Sequence, residues 1–302
     1  MKYNDERTLY NYIDLFEKEL GRNKSQNTIV NYLVDLKQFI EYLVASDVDL
    51  NINNFDKENF LDYIDHLKNK YSSAATIERK AVSTNEFLTF LNRTGRMKKA
   101  PFVDKGEMGS YLPVKPKKKV KTLTTSEIKN LTFVCDDLME ECIIRLLFDG
   151  ALRVSELVNL KWSDIDNDFG RITISIKGKG KGGLSKERTA ILTNKTYEKL
   201  IQMQEERKWD STYVIESERT KKQISPRRVN QILDDIAKRT GVENISSHIF
   251  RASQATSLLE KGADITFVST LLGHSSPATT FNSYVDGNRK LHEKIEGFMD
   301  EI

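Results

Sequence analysis

Apolar residues recur at three- and four-residue steps through the first third of the chain. Tyr10, Ile13, Phe16 and Leu20 form one such run, and Ile29, Leu33, Leu36, Phe39, Ile40 and Leu43 a second. Phe60, Leu61, Ile64 and Leu67 form a third, and Ile77, Val82, Phe87, Phe90 and Leu91 a fourth. Those steps bring side chains onto one face of an α-helix, so the pattern predicts a small helical bundle over 1–97. Ser25 or Asn27 is placed to cap the second helix, because a short polar side chain accepts a backbone N–H that the first turn leaves unpaired. Gly95 is placed to stop the fourth.

The periodicity breaks between Lys98 and Lys121, where three of the five prolines fall together with Gly106 and Gly109. Residues 98–121 therefore read as an irregular inter-domain linker. A second domain, 122–302, opens on the capping-box pattern Thr124-Thr125-Ser126-Glu127. Helix is predicted through Leu131 and again over 140–148. Ile172, Ile174 and Ile176 then alternate along Arg171–Ile176, which is strand periodicity, and Glu187–Leu192 reads as a second strand. Lys177–Lys186, rich in Gly and Lys, is the hairpin loop between them. Everything after Leu192 reads as helix. The predicted fold is mainly α: an N-terminal helical bundle and a C-terminal α-rich domain with a small antiparallel β-sheet.

Composition adds little until it is divided by region. The net charge of the 302 residues is +3 and 38% are apolar, which fits a soluble globular chain. Residues 1–100 hold 15 basic and 15 acidic side chains, 101–121 hold six and two, and 122–302 hold 26 and 27. The excess sits in the linker, where Lys117, Lys118 and Lys119 can lie along a phosphate backbone. No stretch reaches the roughly 18 apolar residues that a membrane span needs, and Met1–Leu20 lacks a signal-peptide core, so a cytoplasmic location is expected. Cys135 and Cys142, seven apart, are expected as two buried thiols on one helix face. There is no spacing for a zinc site and no carboxylate cluster suited to Mg²⁺, so no metal or cofactor is expected. No phosphate-binding loop for ATP appears.

Four features of the second domain carry chemistry. Gly150-Ala151-Leu152-Arg153-Val154-Ser155-Glu156-Leu157 puts an arginine in a turn between helices. The hairpin offers Lys179, Lys181 and Lys186, with Glu187-Arg188 behind them. His248 and Arg251 stand three apart at a helix start and face the same way. Leu271-Leu272-Gly273-His274 is followed ten residues on by Tyr284. Two arginines can clamp phosphate oxygens, histidines can donate or shuttle a proton, a lysine can protonate a leaving oxygen and a tyrosine can attack. The set suits metal-free attack on a phosphodiester.

In their order and flanking sequence these boxes resemble the tyrosine recombinase (phage integrase) family in its compact, Xer-like form. Coverage is nearly the whole chain, and 27–43 with 72–91 resemble the family's SAM-like core-binding domain. The resemblance implies that Arg153 and Arg251 hold the scissile phosphate, and that His248 assists in proton handling or phosphate binding. His274 hydrogen-bonds the phosphate and Glu156 supports Arg153. Lys179 acts as general acid, with Lys181 and Lys186 as alternatives, and Tyr284 forms a 3′-phosphotyrosyl link. Two departures stand out: Gly182, Gly183 and Leu184 lengthen the hairpin, and the tyrosine follows the histidine by ten positions where many members show nine.

The resemblance also implies double-stranded DNA with a specific site as partner, which Thr76, Arg79, Lys80 and Ser83 on one helix face, Lys117–Lys119, and Arg227 and Arg228 at a helix start would contact. Two domains joined by a basic linker suggest a clamp on DNA. The tail, about 288–302, repeats Leu291, Ile295, Phe298 and Ile302 as an amphipathic exchange helix, implying a tetramer on DNA, with a second recombinase or accessory protein as a further possible partner. Rival readings are a type IB-like topoisomerase and a DNA-binding regulator that never cuts.

Overall fold

The computed structural model describes residues 8–98, 101–114, 121–168, 170–179, 185–243, 245–274, 276–278 and 280, with 105, 177–179 and 185–187 described in backbone only. It divides into two compact units, Met1–Lys117 and Lys118–Ile302.

In the first unit a short 3₁₀ turn leads into α1 (Ile13–Gly21), followed by α2 (Gln26–Ala45), α3 (Lys57–Lys70), α4 (Ala74–Arg93) and α5 (Lys105–Tyr111). Ser25, not Asn27, caps α2, its side chain accepting from the Thr28 N–H. Asp56 and Asn59 form a reciprocal capping box on α3, and Ser73 caps α4. The apolar stripes meet in one core. Phe16 packs its ring 5.3 Å from both Phe87 and Phe90, and Phe39 meets Phe55 edge-on at 5.8 Å.

The expected irregularity of 98–121 fails for its first half. α5 forms there despite Gly106 and Gly109, and Val103 and Met108 bury in the first unit's core. Asn85 anchors this segment by exchanging two 2.8 Å hydrogen bonds with the backbone of Val103. Tertiary burial outweighs the low helix propensity of glycine.

The second unit runs α6 (Thr125–Phe133), α7 (Leu138–Phe148), α8 (Val154–Asn159), β1 (Ile165–Asp168), β2 (Arg171–Lys179), β3 (Ser185–Leu192), α9 (Asn194–Glu206), α10 (Pro226–Thr240), α11 (Ser247–Glu260) and α12 (Ile265–Leu272). The predicted capping box of Thr124 and Glu127 starts α6. The three strands pair antiparallel in the order β1-β2-β3. Ile172, Ile174 and Ile176 all face the core, opposite Leu192, Ala190 and Arg188 in register. β1 was not legible as a strand: Asp166, Asn167 and Asp168 are exposed on the sheet's edge, where charge discourages further pairing.

Cys135 and Cys142 do not share a helix, because α6 ends at Phe133 and Asp137 caps a new helix, α7. Cys142 is buried and Cys135 partly so, and burial pushes both thiols up to about 12.

Candidate active site

The turn between α7 and α8 is tight. A methyl on Gly150 would stand 2.9 Å from the Leu146 carbonyl and 3.2 Å from Leu152 Cγ. Gly150→Ala is therefore expected to destabilise the second unit by about 1–3 kcal/mol through overpacking, measurable as a shifted urea midpoint of tryptophan fluorescence. Both tryptophans, Trp162 and Trp209, lie in this unit. Ala151, fully buried, takes the left-handed conformation at φ +46°, which turns its carbonyl into the interior.

Arg153 follows as the residue before α8. Glu156 reaches back to accept from the Arg153 N–H at 2.7 Å and from its Nη1 at 2.7 Å. Glu156 thus caps α8 and fixes the Arg153 side chain, which remains half exposed. The same carboxylate accepts from Arg188 Nη2 at 2.6 Å. Burial works against the charge on Glu156, but the bonds from Arg188 and Arg153 outweigh it and hold the carboxyl below its ordinary value.

His248 stands exposed on the first turn of α11. Arg251, one turn on, is 1% exposed. Its Nη1 donates to the Ala151 carbonyl at 2.5 Å and its Nη2 to the Leu272 carbonyl. α12 ends at Gly273, left-handed at φ +61°, and this bend delivers His274. The His274 backbone N–H donates to Ser269 at 3.0 Å, and its Nδ1 hydrogen-bonds Thr280 Oγ1 at 2.8 Å, which fixes the ring. The Ala151 carbonyl is therefore a shared point: Arg251 from α11 and Arg188 from β3 both donate to it. Through these bonds Arg153, Glu156, Arg251 and the turn carrying His274 are drawn into one network.

The backbone of Lys179 closes β2 opposite Ser185, and that of Lys186 pairs with Gly178. The side chains of both, together with Lys181, Lys117, Lys118, Lys119, Tyr284 and the 288–302 tail, lie outside the described residues.

Of the DNA-contact residues expected on α4, Arg79 is exposed and Thr76 partly so. Lys80 and Ser83, expected on the same DNA-facing surface, do not lie on it. Both are buried, and they bond the carboxylate of fully buried Asp35 at 3.0 Å each, so neither reaches a ligand. The helical face predicted from spacing turns partly inward, toward α2. Arg227 and Arg228 are exposed at the start of α10, where Ser225 accepts from the Arg228 N–H. Sequence reasoning names Arg188 only as part of the hairpin, with no role of its own, and misses Asp35. Arg188 had a signal, a cation at the two-residue spacing of inward-facing Ala190 and Leu192. Asp35 had one too, a carboxylate four residues before buried Phe39.

Residues 121–290 match the family described as "Phage integrase family", and 13–95 match "Phage integrase, N-terminal SAM-like domain". The first match spans Arg153, His248, Arg251, His274 and Tyr284. The chain belongs to the phage integrase family. This bears out the expected enzyme class, a tyrosine recombinase that cleaves and rejoins DNA, and the mainly α fold. Tyrosine recombinase XerA of Pyrococcus horikoshii is 35% identical over 186 residues, 61% of this chain and 63% of that protein. Transposase A from transposon Tn554 of Staphylococcus aureus is 28% identical over 308 residues, 87% of this chain and 83% of its own. Among solved structures, the XerH site-specific recombinase bound to palindromic difH substrate in a post-cleavage complex superposes with a TM-score of 0.72. It is 17% identical and covers 99% of this chain and 98% of that one, a likeness of fold.

Proposed function

We propose that this recombinase cuts DNA by attack of Tyr284 on a phosphodiester held by Arg153, Arg251, His248 and His274. The observation that carries the reading is the network at the Ala151 carbonyl, which ties the arginine turn, α11 and the histidine turn together. Arg251 serves from the floor of the site. Each of its terminal nitrogens carries two N–H groups, so a nitrogen fixed by a carbonyl still directs a second donor. Donors fixed beforehand stabilise the charge of the five-coordinate transition state without reorganising. Lys179, at the end of β2, protonates the 5′ leaving oxygen. The covalent link retains the ester bond's energy, so rejoining needs no ATP.

The partner is double-stranded DNA carrying a specific site. Thr76, Arg79, Arg227 and Arg228, with Lys117, Lys118 and Lys119, contact it, and phosphate contacts of this kind make affinity fall with salt. Residues 1–97 serve as core DNA-binding domain and 122–302 as catalytic domain, with the 288–302 tail docking on a neighbouring subunit of a tetramer. Among the described residues no helix is long and apolar enough to cross a membrane, and the working compartment is the cytoplasm.

The test uses a pool of nicked duplexes of randomised sequence, in which loss of a short fragment traps the covalent intermediate. Protein–DNA adducts stable in denaturing gels are expected, and peptide mass spectrometry should place the nucleotide on Tyr284. An adduct on another residue, or none from a pool whose members the protein binds, refutes the reading.

A further inference from the structure

Arg188 has no part in the chemistry above, yet it makes three hydrogen bonds at the site. It enters from β3 with its side chain 6% exposed. Nη2 donates to Glu156 at 2.6 Å and to the Ala151 carbonyl at 3.2 Å, and Nη1 donates to the Leu271 carbonyl at 2.7 Å. One side chain therefore bridges the turn that carries Arg153 and the helix end that carries His274. The sequence of that helix end fits the bridge. A methyl on Gly273 would stand 2.6 Å from Arg188 Cδ, so the backbone approaches the stem of Arg188 as closely as glycine permits. Among the described residues Nε is buried without a hydrogen-bond partner. A residue selected only to fill this space would be apolar, because a buried charge is retained at a cost that well-packed hydrophobic groups avoid.

We propose that Arg188 is a positioning residue for strand cleavage. It sets the separation of Arg153 from His274, its Nη2 holding the Glu156 carboxylate and the Ala151 carbonyl of the arginine turn and its Nη1 the Leu271 carbonyl at the end of α12, and it does not itself touch DNA. The inference rests on the reading of Arg153, Arg251 and His274 as the phosphate-holding groups. A planar fork with separated donors can span two turns, whereas a lysine ammonium is a single point of charge. The role therefore belongs to the guanidinium's shape as well as its charge.

The experiment uses the full chain and a nicked duplex recovered from the covalent-capture pool. Single-turnover cleavage is measured beside DNA affinity and far-UV circular dichroism. Arg188→Met is expected to stay folded, to bind DNA as the unaltered protein does, and to cleave about 100-fold more slowly, the scale on which small misplacements act. Arg188→Lys should restore little of that rate. Combining Arg188→Met with Glu156→Gln should slow cleavage no further than the worse single variant, since both interrupt one chain of contacts. A merely structural role predicts losses that add and a lysine that rescues. Either result overturns the proposal, as does a folded Arg188→Met that cleaves normally. If Arg188→Met does not fold, Arg188→Lys carries the test alone, and a normal rate in that variant refutes it. Arg153→Ala serves as control. If Arg153→Ala is slow while the Arg188 variants are not, the inference fails alone, and if Arg153→Ala cleaves normally, the reading of the site beneath it fails.

Discussion

Asp35→Ala is expected to destabilise the first unit by about 3–5 kcal/mol, because it strands a buried ammonium. Asp35 is 0% exposed on α2 and accepts from Lys80 Nζ and Ser83 Oγ at 3.0 Å and from Arg79 Nη1. Lys80 is 5% exposed, and its other neighbours are Gln38 Oε1 and the Tyr71 ring, 5.2 Å away. Neither replaces a carboxylate. The same change frees Arg79, so DNA affinity should fall as well. Both tryptophans lie in the second unit, so fluorescence is blind here. The suitable measurement is hydrogen exchange of α2 and α4 peptides during urea unfolding. Asp35→Leu combined with Lys80→Met should recover much of the loss, since removing both partners of a buried pair is far less harmful than removing one. Protection in Asp35→Ala equal to that of the unaltered chain would show that the network contributes nothing to stability.

The contrast between Asp35 and Arg153 explains what was legible in the chain. Helices announce themselves through spacing, and α2, α4, α6 and α10 fall where the periodicity and capping residues place them. The signature boxes were readable because their residues are close in sequence: Arg153 with Glu156, and His248 with Arg251. What periodicity does not carry is which polar residues turn inward to meet one another across elements. Lys80 lies 45 residues from Asp35, and Arg188 lies 83 from Leu271. On a single helix, Lys80 looks much like exposed Arg79, since both are cations one turn from Thr76 and only the facing helix distinguishes them. Likewise Gly106 and Gly109 argued for irregular chain, and the burial of Val103 and Met108 overrode them. β1 escaped notice because an edge strand with exposed acids carries no alternation.

Glu156→Ala should have the largest combined effect, a loss of about 3–5 kcal/mol in the second unit for an uncompensated buried charge and about 100-fold in cleavage for a displaced Arg153. Its carboxylate is 11% exposed and neutralises Arg188, 6% exposed, while holding both the backbone and the side chain of Arg153. Glu156→Gln separates charge from shape, and pH provides the check. The folded carboxyl lies below its ordinary value, so the unfolded chain binds this proton more readily than the folded one. The stability due to ionised Glu156 is therefore complete above the unfolded value of about 4.3. It is lost as pH falls from there through the lower folded value. The stability difference between the unaltered protein and Glu156→Gln should accordingly be constant from neutral pH down to about 5 and shrink below about 4. Urea midpoints of tryptophan fluorescence across that range measure it directly. A difference that stays constant into acid would mean that the ionised carboxylate does not hold Arg188, and the bridge between the arginine turn and the histidine turn would then lose its central member.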